Sequence, residues 1–327
     1  MIVYFDTVRR KRPVREGGEL VQLDWSTKKV IKQLPIFPSA PDIDYDPNPR
    51  GNSRGGKGML ISDNELFVGN YHTILVFDHC LNLKRRITNN LFVNLHEMCF
   101  DGSDGHNIWV SSTAVDCAVL VNQRGETIKS WWPREEKVLQ EKFGLGPLEI
   151  DKNTDNRAAY VHADVEKKEG HTHLNSVAKF EDRTYVLLNR QGVVVQIEPT
   201  LKIVLEDQQL CGAHSPAVFG DGDQMIVCSS FSKDILIYHL EKGTLIKRIH
   251  LPGFAEIARL HRENPDQSYN KSIFVRGLEI INPQRILAGV SPASILEIDI
   301  HKNRLLDFYQ YSKEVGDAVH GLVHWKK

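Results

Sequence analysis

A chain of 327 residues, 41% hydrophobic and 25% charged, can bury a large core, which excludes a disordered chain. Its net charge of −1 excludes a general electrostatic attraction to nucleic acid. No stretch approaches the ~18 apolar residues of a membrane span, so neither nucleic acid nor a membrane is expected as a partner.

The N-terminal "MIVYFDTVRRKRPVREGG" sets a short strand-like run before its charges, the reverse of a secretory leader, and the cytoplasm is the expected location. From there the chain is a series of short β-rich runs parted by Gly, Asn, Asp and Ser turns. After "MIVYFDTV", "ELVQLDW" and "KVIKQLPI" a repeat sets in. Each copy opens with one of "KGMLIS", "HEMCFD", "HLNSVA", "HSPAVF", "RGLEII" or "HGLVHW". Second strands such as "NIWVSS" and "QMIVCS" follow, then third strands such as "TILVFD" and "GVVVQI", then fourth strands such as "TLIKRI". Helical periodicity is confined to Arg134–Phe143 and Phe254–Asn264. Most of the five cysteines, Cys80, Cys99, Cys117, Cys211 and Cys228, fall in apolar runs and read as reduced core thiols.

Lys57 to His96, His173 to His214 and Arg276 to His320 are intervals of 39, 41 and 44 residues. Four strands in such a period form one blade of a β-propeller. The sixth copy is split: its opening strand is the last of the chain, and its other three strands are the first. The expectation is therefore a single all-β domain over 1–327, a six-bladed β-propeller closed by a C-terminal strand joining three N-terminal strands. Segments near 38–56, 133–170 and 252–273 exceed the repeat, and all join a fourth strand to the next opening strand. Those connections are expected on one face, with the Arg9–Arg15 loop and the loop holding Tyr71 and His72. Long loops on a rigid scaffold usually carry function.

The chain has no G-x-S-x-G, P-loop, G-x-G-x-x-G or H-E-x-x-H signature. Candidate chemistry comes instead from the first residue of each opening strand, expected at the mouth of the central channel. That position reads Lys57, His96, His173, His214, Arg276 and His320. A lone histidine there would more often be a structural hydrogen-bonder. Four about one axis suit a divalent transition metal (Fe, Cu or Zn), for which neutral imidazole is the common ligand, or else a purely structural or substrate-binding ring. Three of them with an open position would make a catalytic site. Within "GHTHLNSV" the repeat register selects His173 over His171. Glu97 and Glu279 stand out on the channel side as general acid/base candidates, as partners orienting a ligand histidine, or as salt-bridge partners of Arg276 or Lys57. Arg276, Lys57 and the basic Arg9–Arg15 loop favour an anionic substrate. Tyr71 and His72 join the substrate-binding candidates through their loop.

"HLNSV", "HSP", "PGF", "RGLEI" and "GVSPAS" occur in that order over about half the chain. Together they resemble a bacterial family of unknown function marked by H-L-N-G, P-H-S-P, P-G-F, R-G-L and G-x-S. Ala213 stands where that pattern has proline, Ser176 where it has glycine, and an insertion parts Pro252–Phe254 from Arg276. The resemblance implies that His173, Asn175, His214 and Arg276 belong to one site. More distantly the layout is similar to six-bladed propellers of the gluconolactonase and streptogramin-lyase type, which use a metal in the channel. Four-histidine iron belongs to the seven-bladed carotenoid oxygenases, a likeness of fold only. Two functions follow. One is a metal-dependent oxygenase, oxidase or lyase acting on an anionic small-molecule or peptide-linked substrate. The other is a non-enzymatic propeller binding a glycan, peptide or partner protein on its insertion-rich face.

Overall fold

The computed structural model describes residues 1–38, 45–48, 53–62, 64–102, 106–147, 150–160, 169–266 and 271–325. Parts of all three inserted segments, 39–44 and 49–52, 148–149 and 161–168, and 267–270, lie outside the described residues.

Six antiparallel four-stranded sheets form the blades of a β-propeller. The first blade takes β1 (Ile2–Arg9), β2 (Glu19–Asp24) and β3 (Lys29–Pro35). The second takes β4 (Met59–Ile61), β5 (Leu66–Gly69), β6 (Thr73–Phe77) and β7 (Leu83–Thr88). The third takes β8 (Leu95–Phe100), β9 (Asn107–Ser112), β10 (Cys117–Asn122) and β11 (Thr127–Trp131). The helix α1 (Lys137–Phe143) precedes the fourth blade, β12 (Leu174–Phe180), β13 (Arg183–Leu188), β14 (Val193–Glu198) and β15 (Lys202–Glu206). The fifth takes β16 (Ala213–Phe219), β17 (Gln224–Ser229), β18 (Asp234–His239) and β19 (Thr244–His250). After the helix α2 (Ala255–Glu263) comes the sixth, β20 (Gly277–Asn282), β21 (Arg285–Val290), β22 (Ser294–Asp299) and β23 (Arg304–Gln310). The last strand, β24 (Asp317–Trp325), pairs with β1 as the innermost strand of the first blade.

The sequence dictates this layering. Middle strands such as "TILVF" of β6 and "CAVLV" of β10 are buried at every position and almost wholly apolar because neighbouring blades cover both faces. Outer strands such as "KVIKQLP" of β3 alternate between exposed and half-buried residues. The core is accordingly six apolar clusters, one between each pair of adjacent blades. Helix α1 sends Leu139 into the cluster between blades three and four. Helix α2 sends Ile257 and Leu260 into that between blades five and six. The inner strands β4, β8, β12, β16, β20 and β24 touch in a closed ring, so none of them is a free sheet edge. That ring is tight. A Cβ on Gly321 would lie 2.4 Å from the Lys57 carbonyl oxygen and 2.5 Å from Asp6 Oδ2.

No described helix is long and apolar enough to cross a membrane. All five cysteines are free, with Cys117 and Cys228 buried, Cys99 and Cys211 partly so, and Cys80 exposed.

Candidate metal centre at the channel mouth

Four inner strands carry one extra residue at their mouth end. In β8 the ladder jumps from Leu95 to Met98 against β9, leaving His96 and Glu97 opposite one residue. In β16 it jumps from His214 to Ala217, in β12 from Leu174 to Ser176, and in β24 from Val319 to Leu322. Such bulges bend a strand and re-aim its side chains. β4 and β20, the strands that follow Lys57 and Arg276, start their ladders in register only at Met59 and Gly277, while Lys57 N and Arg276 N bond the Gly69 and Gly289 carbonyls.

The bulges bring three imidazoles together. One ring nitrogen from each of His96, His214 and His320 lies within 4.8 Å of those of the other two. Ring centroids stand 5.5 Å apart for His96–His320, 5.8 Å for His214–His320 and 6.3 Å for His96–His214. His173, expected as a fourth member, stands outside the trio. Its ring is 6.0 Å from that of His96 and 6.1 Å from that of His171.

Local bonds fix which nitrogen each ring presents. His96 Nδ1–H donates to the Asn94 carbonyl at 3.0 Å, with Thr113 Oγ1 2.9 Å away. His214 Nδ1–H donates to the Gly212 carbonyl at 3.0 Å, and Ser230 Oγ lies 3.0 Å from the same nitrogen. Ser230 spends its own proton on the Val275 carbonyl, 2.6 Å away, so towards His214 it accepts. A carbonyl can only accept, so both rings carry their proton on Nδ1 and leave Nε2 with a bare lone pair. His320 is 1% exposed, and neither of its nitrogens makes a well-formed hydrogen bond among the described residues, although the Lys57 backbone acts on the ring and opposes the lowering of its pKa. Glu97 Oε1 stands 3.9 Å from His320 Nδ1.

All four channel histidines are neutral. Burial is the first cause, holding His96, His214 and His320 well below the usual imidazole range and His173 down at about 3. The next causes are Lys57 for His96, Arg276 for His214 and His320, and His171 for His173. Burial pushes Glu97 up to about 8, against the opposing pull of Ser215 and Arg276. Geometry agrees with a protonated Glu97. The Ser215 hydroxyl has one proton and lies 2.5 Å from the Arg276 carbonyl and 2.9 Å from Glu97 Oε1. That proton serves only one of the two acceptors at a time, and a protonated Glu97 can supply the second hydrogen when the hydroxyl faces the carbonyl.

The remaining candidates separate. Lys57 is buried, donates from Nζ to Asn94 Oδ1 and lowers the pKa of each channel histidine. Arg276 stacks on Phe274, its guanidinium carbon 4.4 Å from the ring centroid. Asn175 is fully buried and donates to the Ala213 carbonyl at 3.0 Å, so it pins the residue before His214 and binds from behind the cluster. Glu279 lies away from the trio: three residues beyond Arg276, in regular ladder, it bonds His324 Nδ1 at 2.6 Å on the next blade. Tyr71 is buried in the cluster between blades two and three, and His72 bonds Thr73 Oγ1 at 2.8 Å.

Sequence reasoning missed several residues. Thr113 and Ser230 are hydroxyls directly after the second strands of their blades, a position at which the sixth blade has Ser291. Reading that column would have found them. Asp6 has no such signal. It is fully buried opposite the β24 bulge, takes the Gly321 N–H at 2.8 Å, and burial raises its carboxyl well above the usual range. Asp116 is a third omission. It accepts from Thr172 N at 2.8 Å, Thr172 Oγ1 at 2.6 Å and Leu174 N at 3.1 Å, and so shapes the His171–His173 turn.

No protein-family profile and no curated protein sequence matches the chain. Solved structures do match. A protein of unknown function from Bacteroides caccae is similar at a TM-score of 0.54 and 9% identity, over 98% of this chain and 97% of that one. A chain from the nidogen/laminin complex is similar at a TM-score of 0.57 and 8% identity, again over 98% and 97%. At such identities the likeness is one of fold alone.

Proposed function

We propose that the protein is a metal-dependent enzyme whose iron, copper or zinc ion is held by His96, His214 and His320, and which acts on an anionic small-molecule or peptide-linked substrate. The observation that carries this reading is the convergence of one ring nitrogen from each of three buried histidines. A buried polar atom without a partner costs about 1–3 kcal/mol, and at His320 neither ring nitrogen makes a well-formed hydrogen bond among the described residues. Two of the rings are locked by a backbone carbonyl behind them, the usual support of a metal-ligating histidine.

The donor set fits such an ion. Nitrogens around zinc at its usual bond length stand about 3.3 Å apart, so the present spread of up to 4.8 Å closes by small ring movements. A divalent metal in this site supplies a Lewis acid for lyase chemistry or, as iron or copper, a centre for oxygen chemistry. Three neutral ligands leave its charge uncompensated, and Lys57 and Arg276 add to it. The site therefore favours a negatively charged substrate, positioned by Arg276 and Lys57. Glu97 holds a proton at its carboxyl beside the trio, ready for transfer to a substrate atom. Four of the eleven described non-glycine residues with positive φ also stand around this site. Asn94, His173, Ser215 and Ile273 are non-glycine residues with φ of +49° to +57°, a conformation worth about 1–2 kcal/mol each that clusters at functional sites.

Metal analysis of protein purified without a histidine tag tests the proposal. One equivalent of a transition metal, lost in His96→Ala and His214→Ala, is the expected result. A metal-free wild type whose alanine variants fold and behave alike would overturn it. The metal found separates oxygen chemistry from lyase chemistry.

A further inference from the structure

Beside the trio stands a wall built of rings and guanidinium groups. Phe274 packs edge-on against His214, with centroids 6.2 Å apart. Arg276 covers its ring at 4.4 Å and Arg10 approaches it at 5.4 Å. Phe231 adjoins Phe274 at 5.9 Å and is 67% exposed. These residues come from separate segments: the β1–β2 loop, the β17–β18 loop and the end of the insertion before β20. Ile273, a β-branched residue at φ +57°, makes the turn that delivers Phe274.

The exposure of Phe231 is uncommon for its place. Most other exposed large apolar residues, Ile31, Leu83, Ile128, Leu245 and Ile246, lie on outer strands of the blades. Phe231 instead rests on Gly212, where an added Cβ would come 2.1 Å from its ring. Gly212 is the residue whose carbonyl holds His214 Nδ1. The exposed ring is thus coupled through one residue to the trio. Apolar surface with cations at its base matches a ligand carrying an anionic head and an apolar body.

We propose that Phe231, Phe274, Arg276 and Arg10 form a subsite for the aryl or alkyl body of a carboxylate or phosphate ligand, its anionic group on the guanidinium side and its apolar part under Phe231. The inference deepens the metal-enzyme reading by giving its substrate class, and it rests on that reading only for the ligand's reacting end.

The test is binding of phenylacetate and phenyl phosphate, against acetate and inorganic phosphate, measured calorimetrically on chelator-treated and metal-loaded protein. The aryl anions are expected to bind roughly tenfold more tightly than their simple counterparts, from burial of the two rings. Phe231→Ala should erase most of that advantage and leave inorganic phosphate unchanged, whereas Phe231→Leu should keep part of it. Arg276→Gln should weaken all four. The aryl carboxylate and the aryl phosphate compared directly identify the preferred head group. Equal binding of aryl and simple anions, or an unaltered advantage in Phe231→Ala, would overturn the subsite. Failure of the metal reading shows separately, as binding that is the same with and without metal.

Discussion

Replacing His320 by leucine separates a metal centre from a hydrogen-bonded histidine ring. A neutral imidazole has one N–H and one bare nitrogen. At His320 both are buried and neither makes a well-formed hydrogen bond among the described residues, the Lys57 backbone acting on the ring only enough to oppose the fall of its pKa. An unsatisfied buried group of this kind costs about 1–3 kcal/mol. Leucine is close in volume and has neither group, and the misfit of such a swap is up to about 1.5 kcal/mol. His320→Leu is therefore expected to stabilise the metal-free protein by about 1 kcal/mol. With metal at a hundred times its dissociation constant the wild type gains about 2.7 kcal/mol, which the variant forgoes. The order of stability should thus reverse: variant above wild type in chelator, wild type above variant with metal. Urea midpoints under the two conditions measure it. A variant less stable than wild type in chelator would refute the reasoning, because His320 would then have bonds to lose and the cluster would need no ion.

Acid should loosen the metal-free propeller. His96, His173, His214 and His320 all have folded-state pKa values below the ordinary one, burial being the first cause. As pH falls the unfolded chain takes up these protons first. Stability is full above pH ~7 and declines below ~6.5, by roughly 1.4 kcal/mol per histidine at pH 5.5. For four histidines that is roughly 5 kcal/mol between pH 7.5 and 5.5. Glu97, raised to about 8 by burial, returns roughly 2.5 kcal/mol by taking up its proton in the folded state over the same range. In Glu97→Gln the acid loss should be steeper than in wild type by about that amount, and an equal dependence in the two proteins would contradict the protonated carboxyl. Gly321→Ala should cost about 3 kcal/mol, since its Cβ meets the Lys57 carbonyl oxygen at 2.4 Å. Gly253→Ala, whose Cβ meets nothing within 4 Å, should stay within about 0.5 kcal/mol of wild type; similar unfolding midpoints for the two variants would show the ring at Gly321 to be slack.

The blades were legible because their physics repeats. Every middle strand is covered on both faces, so each reads as an apolar run, and the runs recur at intervals of 39 to 44 residues. The split first blade followed from counting strands at the two ends, and β24 pairs with β1 as that count requires. The register of the mouth was legible only to the nearest residue. Alternation alone makes Glu97 and Glu279 equivalent channel-facing carboxylates, yet one sits in a bulge beside His320 and the other in regular ladder bonded to His324. A single extra residue moves a side chain to the other face, and it leaves no trace in the apolar pattern.

The same one-residue device decides which histidines meet. His96 and His320 are the first residues inside their bulges, and His214 is the last paired residue before its own. His173 comes earlier: Leu174 is the last paired residue of its strand, and the extra residue there is Asn175, which turns inward to hold the Ala213 carbonyl. No nitrogen of the His173 ring joins the group formed by His96, His214 and His320, although its centroid is 6.0 Å from that of His96. Four histidines share one position in the repeat, but only those at the onset of a bulge are turned onto a common point. The fourth is set beside it, on a turn fixed by Asp116 from the preceding blade. Its position there places a neutral donor or acceptor beside the trio.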